Sequence, residues 1–295
     1  MLPFHRGEIA AQARAGFRSG AAPIRDFMPE QHRAFFALLP MLPLATLDAA
    51  GAPVATILGG LPGFIESPDA NTLLLRAAPD PDDPAGDFLV AGAPFGAVGI
   101  DLTSRRRNRA NGHVRARGQG WLRLGVEESF GNCPQYIQTR APVPAATAPA
   151  TVMLPGLDAA ATTLLRGADT LFVASSGGAA GGVDMSHRGG RPGFIGASGD
   201  RLTVPDFSGN RYFNTLGNFL EEPRAAVLVP DFDNGTLLHV SGRVEVLWDA
   251  AGLVDRAERA WVLHVEQAWR RENALPLAWR FGEFAPTTLR TGVFV

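Results

Sequence analysis

Gly59-Gly60-Leu61-Pro62-Gly63-Phe64-Ile65 is repeated 130 residues later as Gly189-Gly190-Arg191-Pro192-Gly193-Phe194-Ile195, with six of the seven positions identical. Scattered glycines and an aspartate that keep one spacing indicate a structural module present twice. The sequence therefore predicts one fold built two times in a single chain. The same offset relates further identical residues: Gly51 and Gly181, Asp101 and Asp231, Gly112 and Gly242, and Val114 and Val244.

The two copies differ immediately before the shared glycines. The second copy has Ser186-His187-Arg188 where the first has Thr56-Ile57-Leu58. A hydroxyl, an imidazole and a guanidinium are groups that bind ligands, whereas the equivalents in the first copy are largely apolar. We expect the shared glycines to be scaffold and the unshared segment of the second copy to be the ligand site.

Length and composition predict a globular protein with two domains. The 295 residues are 46% hydrophobic and 19% charged, which is typical of chains that bury a core. A chain of this length can form two domains of ordinary size. The repeat and the proline-rich stretch 141–151 predict an N-terminal copy with a helical extension over 1–140, a linker over 141–155, and a C-terminal copy with the main ligand motifs over 156–295.

Membrane association and secretion are not expected. No apolar run approaches the roughly 20 residues that a membrane-spanning helix needs, and the first eight residues contain no signal-peptide core. The single cysteine, Cys133, excludes an internal disulfide framework and fits a reducing compartment. We expect a cytoplasmic protein.

The basic residues restrict the chemistry of any phosphate site. All 27 are arginine, so the chain can neither form a Schiff base through lysine nor supply a Walker lysine. A phosphate would be held by arginine side chains, hydroxyl groups and backbone N–H groups. The net charge of −2 provides no general attraction for nucleic acid, which we do not expect as a partner.

Hydrophobic periodicity and turn residues predict a β-rich α+β fold. Many short apolar segments separated by Gly and Pro turns favour closed or partly closed antiparallel barrels over a parallel doubly wound sheet. Helices are expected over 5–16, 29–39, 84–91 and 156–166, with a strong amphipathic helix over 250–271. Strands are expected near 44–47, 54–58, 62–66, 72–77, 95–101, 110–117, 121–127, 170–175, 192–197, 201–204, 224–230 and 236–248.

The segment 181–190 is the richest candidate for a ligand site. Its glycines let the backbone approach a ligand, and Ser186, His187 and Arg188 offer a hydroxyl, a ring donor and a bidentate guanidinium. This combination suits a phosphate or a polar heterocycle. Adjacency in sequence does not make the serine and histidine a nucleophile–base pair, so no hydrolase is predicted. The alternative is a glycine-rich hairpin loop with solvated polar residues.

A second candidate is the segment 209–218, which contains Arg211, Asn214, Thr215 and Asn218. Clustered at the start of a helical turn, these side chains and the backbone N–H groups could hold a phosphate. Ordinary capping of a short helix is the alternative, although it needs only one of the polar residues.

A third candidate is the arginine run at 105–109. If the run is a strand, Arg105, Arg107 and Arg109 share one face and could bind an anion. A solvated basic face is the alternative, and nucleic acid ranks lower because aromatic residues do not interleave the run. The sequence predicts no metal site, since no histidine–cysteine cluster has zinc spacing. His5 and Glu8, one helical turn apart, are expected on a surface helix.

These segments together resemble the pyridoxamine 5′-phosphate oxidase-related FMN-binding family, and more narrowly its duplicated branch. The resemblance covers nearly the whole chain. In the first copy the matching motifs are Phe4-His5-x-Gly7-Glu8, Pro62-Gly63-Phe64, Arg105-Arg106-Arg107-x-Arg109-x-Asn111-Gly112 and Cys133-Pro134-x-Tyr136-Ile137-Gln138-x-Arg140. In the second copy they are Ser186-His187-Arg188-Gly189-Gly190-x-Pro192-Gly193-Phe194, Pro205-Asp206-x-x-Gly209-Asn210 and Thr215-Leu216-Gly217-Asn218.

The resemblance implies two tandem split β-barrels packed as a pseudo-dimer, with flanking helices and FMN bound between them. It implies that Ser186, His187 and Arg188 form the basic strand end, and that Asn214, Thr215 and Asn218 grip the phosphate. The chain departs from the family because it has no lysine for that grip. Arg188, Arg211 or an arginine of the first copy, Arg105 or Arg107, would then replace it.

The function implied is that of an FMN-dependent oxidoreductase whose small-molecule substrate or electron donor is unknown, and whose catalytic residues are not identified. The flavin would perform the electron chemistry, which agrees with the lack of a catalytic triad or metal cluster in the sequence. A non-catalytic protein that binds or senses flavin or another anionic ligand is the alternative. A homodimer is a further possible assembly.

Overall fold

The structure is a computed structural model that describes residues 3–18, 22–145 and 148–294. Strands are its main regular structure, and they form two large antiparallel sheets and a small two-stranded one. This β-rich architecture with few helices confirms the predicted class. The helices in the described ranges are α1 (Arg6–Arg14), α2 (Glu30–Ala37), α3 (Ala159–Gly167) and α4 (Asn214–Glu221), with short 3-10 turns at Gly86–Phe88, Gly178–Ala180 and Thr288–Arg290.

The first large sheet contains the strands that precede residue 132. Its strands are β1 (Met41–Leu47), β2 (Pro53–Gly59), β3 (Ile65–Glu66), β4 (Thr72–Leu75), β5 (Pro94–Asp101), β6 (Arg106–Gly118) and β7 (Trp121–Gly131). They lie in the order β2-β1-β5-β6-β7-β4-β3. The strands predicted near 44–47 and 54–58 are confirmed, and they form a hairpin in which β1 and β2 pair from Met41 opposite Gly59 to Leu47 opposite Pro53.

The second large sheet contains strands that follow residue 149. They are β9 (Ala150–Leu154), β10 (Thr170–Ser176), β11 (Val183–Gly189), β12 (Gly196–Ser198), β13 (Arg201–Phe207), β14 (Arg224–Pro230), β15 (Leu237–Leu247) and β16 (Ala257–Glu272). The order is β11-β10-β14-β15-β16-β13-β12, and β9 pairs with β16 beside this path. The small sheet joins β8 (Arg140–Pro144) to β17 (Leu277–Phe281).

The two large sheets have the same strand order, and each carries a β-bulge at the equivalent place. The register shifts between Asn111 and Gly112 in the first sheet and between Ser241 and Gly242 in the second. A Cβ atom on either glycine would overlap a carbonyl oxygen of the neighbouring strand, so both positions require glycine. Among the described residues the end strands of each path do not pair with each other, so both sheets are open.

The repeated glycine motif forms the same turn in both halves. Gly63 and Gly193 have φ angles of 94° and 90°, a region that side chains with a Cβ atom rarely adopt. Gly60 and Gly190 lie against the rings of Phe64 and Phe194, where a Cβ atom would overlap the ring. The motif therefore buries one phenylalanine in the core of each half.

The two halves share a hydrophobic interface. Each half has its own core, and a third cluster of buried residues joins them, including Val98 and Ile100 of β5, Phe172 of β10 and Met185 of β11. Gly96 of β5 lies directly against the backbone of β11, where any side chain would collide with it. This close packing brings β6, next to β5, alongside β11.

The predicted amphipathic helix over 250–271 is wrong, because most of this segment is the long strand β16. Residues 260–263 are four consecutive buried apolar residues, and Trp261 packs on Phe219 of α4. The strand lies between β15 and β13, and both of its faces are covered over residues 259–263. A strand covered on both faces loses the alternation that distinguishes it from a helix, which explains the error.

Two other segments also have more regular structure than the sequence indicated. Most of the glycine-rich segment 181–190 forms β11, so the alternative of a solvated hairpin loop is wrong. Within the segment predicted as a linker, β8 pairs with β17 and β9 pairs with β16. None of the helices in the described part of the chain has the length and apolar character needed to cross a bilayer.

Candidate functional site

A cleft lies at the junction of the two halves, where β6 runs beside β11. Its lining combines five arginines with aromatic and small polar residues. The lining residues are Arg107, Arg109, Asn132, Cys133, Gln135, Tyr136, Ser186, His187, Arg188, Gly189, Pro205, Asp206, Phe207, Gly209, Asn210, Arg211, Phe213, Asn214, Thr215, Leu216 and Arg259.

Most residues predicted to bind a cofactor lie together in this cleft. Asn218 does not line it, because it is buried one helical turn further along α4. Arg211 lies at the rim with its guanidinium 4.0 Å from the centre of the Phe17 ring. The predicted residues that line the cleft are Arg107, Ser186, His187, Arg188, Arg211, Asn214 and Thr215.

Arg105 lies outside the cleft. It precedes β6 with a φ of 57°, so the expectation that it shares a strand face with Arg107 is wrong. Its guanidinium donates to the carbonyl oxygen of Ile137 and to the carboxylate of Glu283, at 3.0 and 2.9 Å. Arg105 thus forms an ion pair at the surface and does not line the cleft.

Arg107 brings a positive charge to the cleft, and no carboxylate among the described residues pairs with it. Its Nη1 donates to Nδ1 of His187 at 3.0 Å, and its Nη2 donates to the carbonyl oxygen of Cys133 at 2.7 Å. Its Nε is buried and has no hydrogen-bond partner in the ranges that the structure describes. Burial, with the nearby guanidinium of Arg109, lowers the pKa of Arg107 to about 9. An anion placed here would remove an electrostatic penalty.

His187 is a buried neutral donor beside Arg107. An arginine can only donate, so Nδ1 of His187 must accept, and the ring proton is on Nε2. Burial, followed by the charges of Arg107 and Arg188, lowers the pKa of His187 well below its usual value. Within the described part of the chain, its buried Nε2 has no hydrogen-bond partner. A residue of the cleft lining therefore carries an N–H group that lacks an acceptor.

Asp206 is the carboxylate of the cleft lining, and two arginines neutralise it. Its Oδ1 accepts from Arg188 at 2.7 Å and its Oδ2 accepts from Arg259 at 3.0 Å. The guanidinium of Arg259 also lies 4.9 Å from the centre of the Phe213 ring. Arg259 also donates to the carboxylate of Glu258 at 2.6 Å, so the charges of this ion-pair cluster balance.

A buried hydrogen-bond network joins the two halves behind the cleft. Arg109 of β6 donates to Asp184 at 3.1 Å and to Oγ of Ser186 at 2.6 Å, both in β11. Oγ1 of Thr215 donates to the same Ser186 oxygen at 2.9 Å. Asp184 also accepts from Asn111 and Asn218 at 3.0 and 2.9 Å. The network fixes where Ser186 and Thr215 stand in the cleft.

The N-terminus of α4 also faces the cleft. Phe213 at its N-cap has a left-handed conformation, with φ 62° and ψ 24°, and its side chain cannot cap the helix. Asn214, Thr215 and Leu216, which begin the helix, all line the cleft. Because the first N–H groups of a helix lack partners within the helix, this end can donate to an anion.

The N-terminal helix α1 supports α4 from behind. Gly7 of α1 and Gly217 of α4 lie so close that a Cβ atom on either would overlap the other helix. His5 accepts from the N–H of Gly7 through Nδ1 and therefore donates to Asn218 from Nε2 at 2.8 Å. The contact explains why two glycines and a histidine stand at these positions.

Glu8 is buried between these helices, so the prediction that it lies on a surface helix is wrong. It is 4% exposed and accepts from Nδ2 of Asn214. Burial, and then the charge of Asp184, raises the pKa of Glu8 to about 8. Near neutral pH the folded protein therefore favours the protonated carboxyl group.

The Glu8→Gln variant is expected to lose part of the pH dependence of stability. The folded state holds the Glu8 proton up to pH 8 while the unfolded chain releases it near pH 4.5, so wild-type stability falls as pH rises between these values. Over this range the contribution is on the order of 5 kcal/mol. Denaturant unfolding at several pH values should give a flatter curve for Glu8→Gln, whereas parallel curves would contradict the prediction. Glu30→Gln, at an exposed position, is the control.

Sequence reasoning missed several residues of the cleft. Asp206 and Arg259 form its ion pairs, and Tyr136 donates its hydroxyl to the carbonyl oxygen of Ser208 at 2.9 Å. Asp184 lay within the glycine-rich segment but was not selected. Asp206 and Tyr136 lay within motifs of the resemblance but were not selected either, because residues from β6, β11, β13, β16 and α4 meet here across long sequence separations. In the described part of the chain, no group of three His, Cys, Asp or Glu residues could hold a metal ion.

Comparisons with known proteins give low similarities. No family model matches the sequence, and no curated protein matches it. Among solved structures, a protein provisionally named pyridoxamine 5′-phosphate oxidase from Lactobacillus delbrueckii is similar over 36% of this chain and 94% of its own. The identity is 19% and the TM-score 0.29.

Two further solved structures differ in the share of this chain that they match. An FAD-binding protein from Mesorhizobium loti matches 41% of this chain and 97% of its own, with 17% identity and a TM-score of 0.30. The inhibitor of motility from Bacillus subtilis matches 77% of this chain and 88% of its own, with 9% identity and a TM-score of 0.25. The function proposed below therefore rests on the contacts of the cleft.

Proposed function

We propose that this protein binds FMN in the cleft and acts as a flavin-dependent oxidoreductase on a small-molecule substrate or electron donor. The observation that carries the proposal is Arg107, a cation without a carboxylate partner, next to the unpartnered Nε2–H of His187. A phosphate group would accept from both side chains and neutralise the charge.

Other unsatisfied donors of the cleft support an anionic ligand. Arg188 and Asn132 each have a buried nitrogen without a partner, and the start of α4 has no side-chain cap. Donors therefore exceed acceptors around the same space. Since buried polar groups are normally paired, a ligand with several acceptor oxygens is the complement that this set requires.

The apolar residues of the lining suit a flat ring. Tyr136, Phe207, Phe213 and Leu216 provide apolar surface in the same cleft, and the rings of Tyr136 and Phe207 lie 5.5 Å apart. A flavin consists of a large aromatic ring system joined to a phosphate, and when bound it supplies the electron-transfer chemistry. In this arrangement the arginines would hold the phosphate and the aromatic residues would contact the ring.

We further propose that residues 1–140 and 156–295 are two split β-barrels packed as a pseudo-dimer. The identical strand order and the equivalent bulges support this duplication. Arg107 comes from one half and His187 from the other, as in a two-fold dimer whose ligand lies between subunits.

A non-catalytic protein that binds or senses an anionic ligand is the second candidate. The pairing of Asp206 with two arginines favours it, because both oxygens of the carboxylate in the cleft lining already accept hydrogen bonds from the protein. Steady-state oxidation of a reduced nicotinamide by the FMN-loaded protein separates the candidates, since only an oxidoreductase turns over.

The visible spectrum of the purified protein tests flavin binding. We expect flavin absorption, or its appearance on titration with FMN, with quenching of flavin fluorescence. A protein that shows no absorption and does not bind added FMN would rule out the proposal.

Replacing Arg188 is expected to weaken FMN binding about tenfold to hundredfold, because a charge-assisted hydrogen bond to the phosphate is lost. Arg191→Ala is the matched control, since Arg191 donates to the carbonyl oxygen of Thr291 and does not line the cleft. Fluorescence titration of Arg188→Ala and Arg191→Ala measures both affinities. Equal affinities would mean that the phosphate does not lie at the end of β11.

A further inference from the structure

The cleft has a counterpart in the other half of the molecule. In the first cleft, His187, Arg188 and Gly189 at the end of β11 form part of the lining. A second cleft is lined in the same way by Ile57, Leu58 and Gly59 at the end of β2. The spacing of 130 residues relates these two triplets.

Strand register identifies further equivalent positions in the two clefts. Arg109 lies opposite Phe130 in the first sheet, and His239 lies opposite Trp269 in the second. Asn132 directly follows β7, two residues after Phe130, and Arg271 lies in β16, two residues after Trp269. The two residues therefore occupy equivalent positions, and each lines its own cleft.

The second cleft lacks the donors of the first. Leu237 stands at the position equivalent to Arg107, while Ile57 and Leu58 replace His187 and Arg188. The equivalent of Arg109 is His239. Its pKa is lowered to about 3 by burial and then by the charge of Arg271. A phosphate placed in the second cleft would therefore find few free donors.

The cation of the second cleft already has anionic partners. Arg271 is 2% exposed, and its Nη1 and Nη2 donate to Asp83 and Asp80 at 2.7 and 2.8 Å. The buried Asp83 carboxylate also accepts from the hydroxyl of Thr56 and from the N–H of Ala85 at 2.9 Å.

Asp83 thus receives the same kinds of donor that the first cleft offers to a ligand: a guanidinium, a hydroxyl and a backbone N–H. Thr56 is the equivalent of Ser186, and Asp83 lies between β4 and β5, in the segment that corresponds to the one containing α4 between β13 and β14. The contacts with Arg271 and Thr56 act against the rise that burial imposes on the pKa of Asp83.

We infer that the Asp83 carboxylate takes the place of an anionic ligand in the second cleft, so that the chain binds one ligand rather than two. The inference rests on the proposed binding of FMN in the first cleft for its stoichiometry. The replacement of a ligand by the Asp83 carboxylate can be tested without FMN. A buried arginine needs an anion nearby, and a carboxylate held by the fold provides it without an association step.

Stoichiometry is the first test. Equilibrium dialysis of the wild-type protein with FMN should give one FMN per chain. Two FMN per chain would overturn the inference and leave flavin binding intact. Zero FMN would overturn the proposed function and leave the following test of Asp83 open.

Inorganic phosphate is the probe for the second test. In Asp83→Ala the guanidinium of Arg271 loses a partner, so the melting temperature should rise with phosphate concentration, more steeply than in the wild type. Asp87→Ala, at an exposed position of the same turn, is the control and should respond like the wild type. Equal responses in all three proteins would overturn the inference.

The Asp83→Leu/Arg271→Met double variant covers the case in which Asp83→Ala does not fold. It removes both buried charges, so it should fold and show no added response to phosphate. A phosphate response in this double variant equal to that expected of Asp83→Ala would contradict the role assigned to Arg271.

Discussion

Arg107→Met is expected to weaken FMN binding about thirtyfold or more, because truncating one partner of a buried charge pair costs roughly 2–5 kcal/mol. The same change should not reduce the stability of the ligand-free protein. It removes a cation that lacks a carboxylate partner and that is repelled by Arg109. We expect the free energy of unfolding to be unchanged or higher by up to about 1 kcal/mol. Opposite effects on binding and stability are characteristic of a residue kept for its ligand.

Fluorescence titration and urea unfolding measure the two effects on Arg107→Met. Arg106→Met is the matched control, because Arg106 is the next residue on β6, is exposed, and lies over the Phe35 ring at 5.0 Å, away from the cleft. It should bind FMN like the wild type. If Arg107→Met lost stability and kept its affinity, Arg107 would be a structural residue and the anion site would lie elsewhere.

Asp184→Ala is expected to reduce the free energy of unfolding by about 3–5 kcal/mol. The change leaves the guanidinium of Arg109 buried without its ion-pair partner, and it removes one of the two acceptors of Asn111 and of Asn218. Because Asp184 and Arg109 come from different halves of the chain, the loss should appear as weaker association between the two sheets.

Urea denaturation of two further variants checks the cause of that loss. The Asp184→Leu/Arg109→Met double variant removes both charges and should recover much of the stability. Asp233→Ala, in an exposed turn, should have almost no effect. A double variant less stable than Asp184→Ala would show that the network is stabilised by more than this ion pair.

Much of the local structure could be predicted from short sequence patterns. The repeated glycines mark turns with positive φ, and the β1–β2 hairpin follows the turn Asp48–Gly51, where Asp48 accepts from the N–H groups of Ala50 and Ala52. The helix near the N-terminus begins where His5 and Glu8 form a capping box. These signals act within a few residues, so the sequence carries them directly.

Other elements could not be predicted because their environment is not local. Residues 260–263 form a strand since β13 and β15 flank them, although their apolar spacing also fits a helix. Glu8 has the sequence pattern of a solvated helix residue, yet α4 covers it. Tertiary contacts outweigh propensity in both cases.

The sequence alone determined which residues could serve a ligand, because the two copies can be compared position by position and only the second has Ser186-His187-Arg188. The tertiary structure decided which of those residues act together. It brings Arg107 of one half to His187 of the other, and it leaves Arg105, two positions away, at a surface ion pair. The burial of these side chains and their lack of partners depend on how the two sheets pack. They arise only when strands some 80 residues apart in sequence pack together.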